Sequence, residues 1–239
     1  MTHQDIPFLK ILAVSDVELG LIYNPSLASR FPDTNLVIGC GDLPYYYLEF
    51  MISILDVPLY YVHGNHATEI ESSPEGLQSA PWGGNNLHMR CVRDPSGILL
   101  AGIEGSLLYN YGPRQYSQAD MWSKVFLMTP ALFLNKLRYG RYLDIFVSHA
   151  SPWKIHDQDD RPHQGIKAFR WFDRVFAPAF HLHGHIHVYR RDTVTETRLN
   201  QTRVINTYGY REVDFNCSDI PVQRSRDRDW RIRKRDENG

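Results

Sequence analysis

The sequence predicts a layered α/β domain, and three observations support this prediction. Short apolar runs recur along the chain and alternate with segments of helical periodicity. Polar residues that can bind metal ions follow directly after several of these runs. Apolar residues make up 43% of the 239 residues, which is enough for a substantial buried core. We expect one domain over residues 1–221 and a charged, disordered or loosely docked tail over residues 222–239.

Composition narrows the classes of partner. The formal net charge is −1, so no overall field favours nucleic acid, and only the tail is rich in arginine. The three cysteines (Cys40, Cys91 and Cys217) are few, odd in number and widely spaced, which indicates a reducing compartment. No signal peptide is evident, and no apolar run approaches the ~20 residues that span a bilayer. We expect a cytoplasmic protein with no membrane partner; the sequence leaves the oligomeric state open.

The first half of the chain reads as strands separated by helices and turns. Apolar runs predict strands over residues 8–14, 36–39, 58–62, 87–92 and 98–103, the last two joined as a hairpin. Helices are predicted over residues 21–30 and from Pro44 to about residue 55, because proline suits a first helical turn. Residues 67–86 and 105–114 are predicted to be surface loops.

The second half repeats this alternation. Residues 115–139 have helical spacing, and Thr129-Pro130 predicts two helices or a kink there. A strand over residues 143–147, a polar loop over residues 153–164 and a helix over residues 165–176 follow. A final hairpin is predicted from residues 188–197 and 202–208. Helices between apolar strands predict one layered domain in which the hairpins extend the sheets.

Four histidines fall within residues 181–187. In an extended segment they would share one face, although Gly184 predicts a bend between the second and the third. Imidazole is the commonest metal ligand near neutral pH, so this stretch indicates a metal site. A polar strand edge with solvated histidines is the alternative. The four residues are His181, His183, His185 and His187.

Five predicted strand ends deliver groups that can bind metals. Each has an ordinary alternative, such as a helix cap for Asp42 or a buried, hydrogen-bonded imidazole for His149. Parallel strands bring their carboxyl ends to one edge of a sheet, so we expect these groups to meet there. The groups are Asp16 with Glu18, Asp42, Asn65 with His66, His149, and His185 with His187.

The number and chemistry of the candidate ligands predict two metal ions. Three carboxylates, one carboxamide and three imidazoles make seven groups, which exceed the need of one four-coordinate ion and suit two ions that share a carboxylate. They are Asp16, Glu18, Asp42, Asn65, His149, His185 and His187. Nitrogen and oxygen donors without thiolate favour Mn, Fe or Zn over calcium. Two such ions ~3.5–4 Å apart form the clamp used in phosphate-ester chemistry, with a bridging hydroxide as the nucleophile.

The order of these blocks resembles that of the calcineurin-like metallophosphoesterases. The resemblance covers about residues 9–208, and His163-Gln164-Gly165 fits the acidic, histidine-containing loop of a branch of small members. It implies a two-sheet mixed β-sandwich flanked by helices and hydrolysis of a phosphoester. The matching blocks are Asp16-Val17-Glu18, Gly41-Asp42, Gly64-Asn65-His66, His149 and Gly184-His185-Ile186-His187.

The resemblance also implies a role for each position. Asp16 and His187 would hold the first metal, and Asp42 would bridge both metals. A second set, Asn65, His149 and His185, would hold the second metal. His66 would bind no metal; it would stand near the substrate and protonate or stabilise the leaving oxygen. His183 is expected beside the ligands, and His181 is expected to be structural.

Glu18 departs from the family pattern, which usually has histidine at that position. One alternative is that its carboxylate binds the first metal and shifts the preference towards Mn or Mg relative to Zn. The other is that Glu18 points away and the first metal binds weakly. Overall we expect two divalent ions, with Mn favoured and Fe, Zn or Mg as alternatives.

The leading functional prediction is a phosphoesterase that acts on a small phosphoester. Tyr45, Trp82 and the loop containing Tyr109 and Tyr111 could stack a base or aryl group, which favours a phosphodiester or nucleotide-like substrate; ordinary packing is the alternative for these rings. A non-catalytic or weakly active scaffold on the same fold is disfavoured, because only one ligand position differs from the family pattern and His66 is present.

Overall fold

The computed structural model describes residues 8–66, 70–73 and 76–216, which form two mixed β-sheets flanked by helices. The predicted tail lies outside these residues. The helices are α1 (Leu27–Arg30), α2 (Tyr45–Leu55), α3 (Gln118–Tyr139) and α4 (Lys167–Phe176). The strands are β1 (Leu9–Ser15), β2 (Thr34–Gly39), β3 (Leu59–Tyr61), β4 (Glu71–Ser73), β5 (Gly76–Gln78), β6 (Gly84–Asn86), β7 (Arg90–Arg93), β8 (Leu99–Ile103), β9 (Ser106–Leu107), β10 (Gln115–Tyr116), β11 (Ile145–Ser148), β12 (Phe180–His183), β13 (Glu196–Leu199), β14 (Thr202–Asn206) and β15 (Gly209–Phe215).

The first sheet has five strands in the order β15-β1-β2-β3-β6. The strands β1, β2, β3 and β6 run parallel, and β15 pairs antiparallel with β1. Because β1, β2 and β3 are parallel, their carboxyl ends reach the same edge. These ends are followed by the predicted ligands Asp16, Asp42 and Asn65.

The second sheet has six strands in the order β13-β14-β12-β11-β8-β7. Its four central strands are parallel, and the predicted hairpins supply antiparallel strands at both edges. The parallel pair β11 and β12 ends just before His149 and Gly184. The histidine ligands therefore follow strands of the second sheet, whereas Asp16, Asp42 and Asn65 follow strands of the first sheet.

Burial of apolar side chains on both faces of each sheet produces four layers. Side chains of β1 and β2, such as Ile11 and Ile38, pack against Val147 and Leu182 of the second sheet. The outer face of the first sheet packs against α2, and that of the second sheet against α3 and α4. The predicted two-sheet α/β sandwich flanked by helices is confirmed.

Several local predictions were wrong. Of the two alternatives expected at Thr129-Pro130, the break into two helices is wrong: α3 is continuous through Pro130, although proline cannot donate to the carbonyl of Phe126, and packing of its buried face outweighs this loss. The predicted first helix shrinks to the four residues of α1. Residues 67–86 and 105–114 are not loops throughout, since they contain β4, β5, β6 and β9. No helix in the described part of the chain is long and apolar enough to cross a membrane.

Candidate metal centre

The carboxyl ends of the two sheets touch each other. The N–H of Asp16 donates to the carbonyl of Gly41 at 3.1 Å, and the N–H of Gly184 donates to the carbonyl of His149 at 3.0 Å. The two sheets are joined where Nδ1 of His149 lies 2.8 Å from the carbonyl oxygen of Cys40. The predicted ligands of both sheets therefore face a common space.

Three predicted ligands converge in this space. One donor atom from each of Asp42, His149 and His185 lies within 4.8 Å of the others, and the two histidines are buried. The Oδ1 atom of Asn65 lies 3.1 Å from Nε2 of His149 and adds a fourth donor. One carboxylate, two imidazoles and one amide oxygen fit a borderline divalent cation.

His149 is oriented with its Nε2 atom towards the other donors. Its Nδ1–H donates to the carbonyl of Cys40, and its Nε2 lies 3.1 Å from Oδ2 of Asp42. Burial lowers the pKa of His149, but the nearby carboxylate of Asp42 outweighs burial and raises the pKa to about 9. Burial raises the pKa of Asp42, yet His149 holds that pKa well below its usual range. Without a metal, the two residues form a buried ion pair.

His185 is held as a neutral imidazole. Its Nε2–H donates to the carbonyl of Pro162 at 2.8 Å, which leaves a lone pair on Nδ1. Burial, together with the positive charge of His149, lowers the pKa of His185 to about 3. A neutral imidazole is the form that binds a metal, so His185 needs to lose no proton.

Asp16 and His187 are placed differently from these three. Both carboxylate oxygens of Asp16 lie 3.0 Å from the N–H of His185. Burial raises the pKa of Asp16. His187 is exposed, with Nδ1 2.8 Å from the hydroxyl of Tyr189, and lies outside the converging group. The structure brings Asp16 to the edge of the centre, while metal binding by Asp16 and His187 stays a prediction.

Glu18 is exposed and turned towards α2. Its carboxylate accepts a hydrogen bond from the hydroxyl of Tyr46, and this bond raises the pKa of Tyr46 to about 12. Among the described residues, Glu18 is not part of the group formed by Asp42, His149 and His185. This position corresponds to the alternative in which the glutamate points away.

Glycines make room for the ligands of the neighbouring blocks. A Cβ atom at Gly184 would lie 2.6 Å from Oδ2 of Asp16, and one at Gly64 would overlap Oδ1 of Asp42. Gly41 has φ +99°, and a Cβ there would lie 2.5 Å from Nδ1 of His149. The glycines in the Gly-Asp, Gly-Asn-His and Gly-His blocks are thus required by close approach, not only by turns.

Asn65, His66 and Tyr109 form a group at the rim of the centre. The N–H of His66 donates to Oδ1 of Asp42 at 2.8 Å, while its exposed ring lies 3.4 Å from the Tyr109 hydroxyl. Asn65 donates from Nδ2 to the same hydroxyl at 3.1 Å. Tyr109 is therefore positioned to orient both residues.

Tyr45 does not offer a surface for a substrate. Its ring is 1% exposed, so the stacking role considered for it is excluded. Its hydroxyl donates to the carbonyl of Ser79 at 3.0 Å and lies 3.2 Å from Nε2 of His63. His63 was not among the residues expected at the site. Its Nδ1 lies 3.2 Å from Glu104, and these contacts support the start of the Gly-Asn-His block. Its position directly before that block in the sequence could have indicated this role.

His183 and His163 lie close to the candidate ligands in the chain or in space. His183 is buried, donates from Nδ1 to the carbonyl of Gly184 at 2.9 Å, and has Nε2 2.9 Å from Nδ1 of His156. His163 has its ring 5.2 Å from the ring of His185 and its Nδ1 2.6 Å from Asp160. His163 therefore packs against His185, whereas His183 is paired with His156.

His181 lies within the second sheet, away from the strand ends. It is fully buried, with Nδ1 2.8 Å from Asp173 and Nε2 2.8 Å from the hydroxyl of Ser148. This Ser-His-Asp arrangement has no access to solvent, because all three residues are 0% exposed. It therefore connects α4 to β11 and β12 and offers no nucleophile.

Comparison with known proteins identifies the class. A profile described as calcineurin-like phosphoesterase matches residues 9–189, so this chain belongs to the calcineurin-like phosphoesterase family. Members are metal-dependent hydrolases of phosphoesters that typically bind two divalent ions, although some are inactive. A search of curated proteins finds no match.

Solved structures share the fold at low sequence identity. One crystal structure matches with a TM-score of 0.59 and 16% sequence identity, and the match covers 87% of this chain and 95% of the other chain. Another, the TT1561 protein of Thermus thermophilus, has a TM-score of 0.56 and 15% identity, covering 88% of this chain and 100% of its own. These likenesses support the fold alone.

Metal affinity is expected to fall as pH falls below about 9, because a cation must displace the proton on Nε2 of His149. With one proton displaced, the loss is about tenfold per pH unit. Titration of Mn²⁺ by calorimetry in two buffers of different ionisation enthalpy measures the protons released. Release of about one proton near pH 7 is expected; affinity independent of pH would contradict the ion pair.

Proposed function

We propose that this protein hydrolyses phosphoesters with two divalent metal ions, preferably Mn, and that phosphodiesters or nucleotide-like esters are its substrates. One observation carries the proposal: Asp42, His149 and His185 of a calcineurin-like phosphoesterase converge at the strand ends. The proposed location is the cytoplasm, where the free cysteines Cys40 and Cys91 stay reduced.

Each metal would be held by residues from both sheets. Asn65, His149 and His185 would bind one ion, Asp16 and His187 would bind the other, and Asp42 would bind both. When bound, the ions activate water and offset the negative charge of a phosphoryl group. The Cys40 and Pro162 carbonyls fix the ring orientation of His149 and His185, as hydrogen bonds around metal ligands commonly do.

The residues at the rim would act on the substrate. His66 is exposed and adjoins the ligand Asn65, so a substrate at the centre can reach its ring. We assign to its protonated ring the donation of a proton to the leaving oxygen. Tyr109, 3.4 Å from Nε2 of His66, would hold the ring in place. Asn65 would add an amide donor for a phosphoryl oxygen.

One exposed aromatic ring supports a substrate with a flat leaving group. Tyr111 is 89% exposed and lies two residues after Tyr109 in the same loop. A ring that stands free in solvent beside a polar site suits stacking of a base or aryl group. This is the basis for preferring a diester or nucleotide over a small alkyl phosphate. Trp82 precedes β6, whose amino end lies at the other end of the first sheet from the centre, so it does not support this stacking role.

The orientation of Glu18 favours one second candidate, a weakly active or non-catalytic scaffold on the same fold. Because Glu18 is bonded to Tyr46, the site of Asp16 and His187 has one donor fewer than in typical members. A centre that holds one metal ion instead of two would bind phosphoesters without rapid turnover.

Hydrolysis of bis-p-nitrophenyl phosphate and p-nitrophenyl phosphate with added Mn²⁺ tests the leading candidate. We expect metal-dependent turnover, faster for the diester, and a loss of about 10²-fold or more in Asp42→Asn, since both ions lose a ligand. Asp214→Asn, an exposed carboxylate on β15, is the matched control and should keep full activity. Absence of turnover together with less than one bound metal per chain would reject the enzyme.

Glu18→His is expected to raise the metal affinity of the first site, that of Asp16 and His187, by about 10-fold or more, since it supplies an imidazole donor near Asp16. Metal content after dialysis against Mn²⁺, measured by atomic emission, should rise towards two ions per chain. Tyr46→Phe is the control: it frees Glu18 without adding a nitrogen donor. Equal metal content in wild type and Glu18→His would count against a deficient first site.

A further inference from the structure

The outer side of α3 is apolar although it faces solvent. Between Val125 and Leu137 the helix carries a single charge, Lys136, whose Nζ donates back to the carbonyl of Gly140 at 2.7 Å. The opposite side of the same helix buries apolar residues against the second sheet. The exposed residues are Phe126 (55%), Leu127 (70%), Phe133 (50%), Leu134 (43%) and Leu137 (83%).

These residues follow the spacing of a helix–helix seam. Phe126, Pro130, Phe133 and Leu137 are separated by four, three and four residues, which is the alternation of core positions in paired helices. Leu127 and Leu134, seven residues apart, flank this seam on one side. Phe126 and Phe133 each contact one ring of α4, Trp171 and Phe176 respectively, yet they remain 55% and 50% exposed. The exposed part of the seam therefore points to a second helix.

The exposed apolar area on α3 is large enough for an interface between two copies of this chain. With about 200 Å² for each fully exposed large side chain, the five residues offer roughly 600 Å² of apolar surface. An area of this size is at the upper end of the range for the largest exposed apolar patch on a monomeric protein. Covered on two copies, it amounts to about 1,200 Å², the lower end of a specific and stable interface.

We propose that α3 packs antiparallel against α3 of a second copy of this chain, which makes the protein a homodimer. The spacing of four, three and four is the same in both directions, so a two-fold axis pairs the helix with itself. Phe126 then meets Leu137 of the second copy, and Pro130 meets Phe133. Each large side chain faces an apolar one.

Charge opposes the parallel direction. Asp120 and Arg138 are both exposed and 18 residues apart, which is five helical turns, so they lie on the same side of α3. In a parallel pair in register, Asp120 would face Asp120 and Arg138 would face Arg138, and both contacts between like charges are unfavourable. In the antiparallel pair, the two copies of Arg138 lie towards opposite ends of the seam, and so do the two copies of Asp120.

Sedimentation equilibrium of the full chain tests the dimer. We expect about twice the chain mass of 27.8 kDa. Leu137→Lys should give a monomer, because it places two unpaired charges in the seam. Leu77→Lys, at a leucine 76% exposed on β5, is the matched control and should stay dimeric. A monomeric wild type, or a dimer that survives both Leu137→Lys and Phe133→Lys, would overturn the proposal.

Cysteine cross-linking tests the direction. Under mild oxidation, the double variant Phe126→Cys with Leu137→Cys should form covalent dimers, whereas Phe126→Cys alone and the wild type should not. Efficient cross-linking of Phe126→Cys alone would show a parallel pair and contradict the proposal. Cosedimentation of monomeric wild type with phosphatidylserine vesicles would also overturn it, since the face would then bind lipid.

Discussion

The whole centre depends on how closely the carboxyl ends of the two sheets approach each other. A Cβ atom at Gly41 would lie 2.5 Å from Nδ1 of His149, and one at Gly184 would lie 2.6 Å from Oδ2 of Asp16. This packing is possible only where the residue opposite a ligand has no side chain. The approach also places three non-glycine residues, Asp16, Asp42 and His185, at positive φ. Such backbone conformations are costly and concentrate at functional sites.

A second consequence of the approach is electrostatic. His149 is fully buried beside the carboxylate of Asp42, and the two residues remain charged because each stabilises the other. A buried pair of this kind adds little to stability once desolvation is counted. Its value lies in binding: the proton on His149 occupies the place that a cation can take, and His185 is already neutral. Strain, burial and charge thus all favour a bound cation.

The sequence was sufficient to predict the sheets and the convergence of Asp42, His149 and His185 at their edge, because parallel strands necessarily collect their carboxyl ends. It was insufficient where the outcome depends on a single side-chain contact. Glu18 could reach a metal or a neighbour, and only the fold shows Tyr46 beside it. Tyr45 was equally ambiguous among three consecutive tyrosines until packing buried it against His63. The two helices that were one alternative at Pro130 are a single helix, because local propensity cannot anticipate how strongly the buried face of α3 is held.

The location of a bound cation tests the central claim most directly. Crystals grown with Mn²⁺ can be measured at the manganese absorption edge, where anomalous scattering identifies the metal. We expect an anomalous peak about 2.0–2.4 Å from donor atoms of Asp42, His149 and His185, with Oδ1 of Asn65 at a similar distance. A saturated crystal with no peak between these residues, or with its peak at His156 and His183, would contradict it.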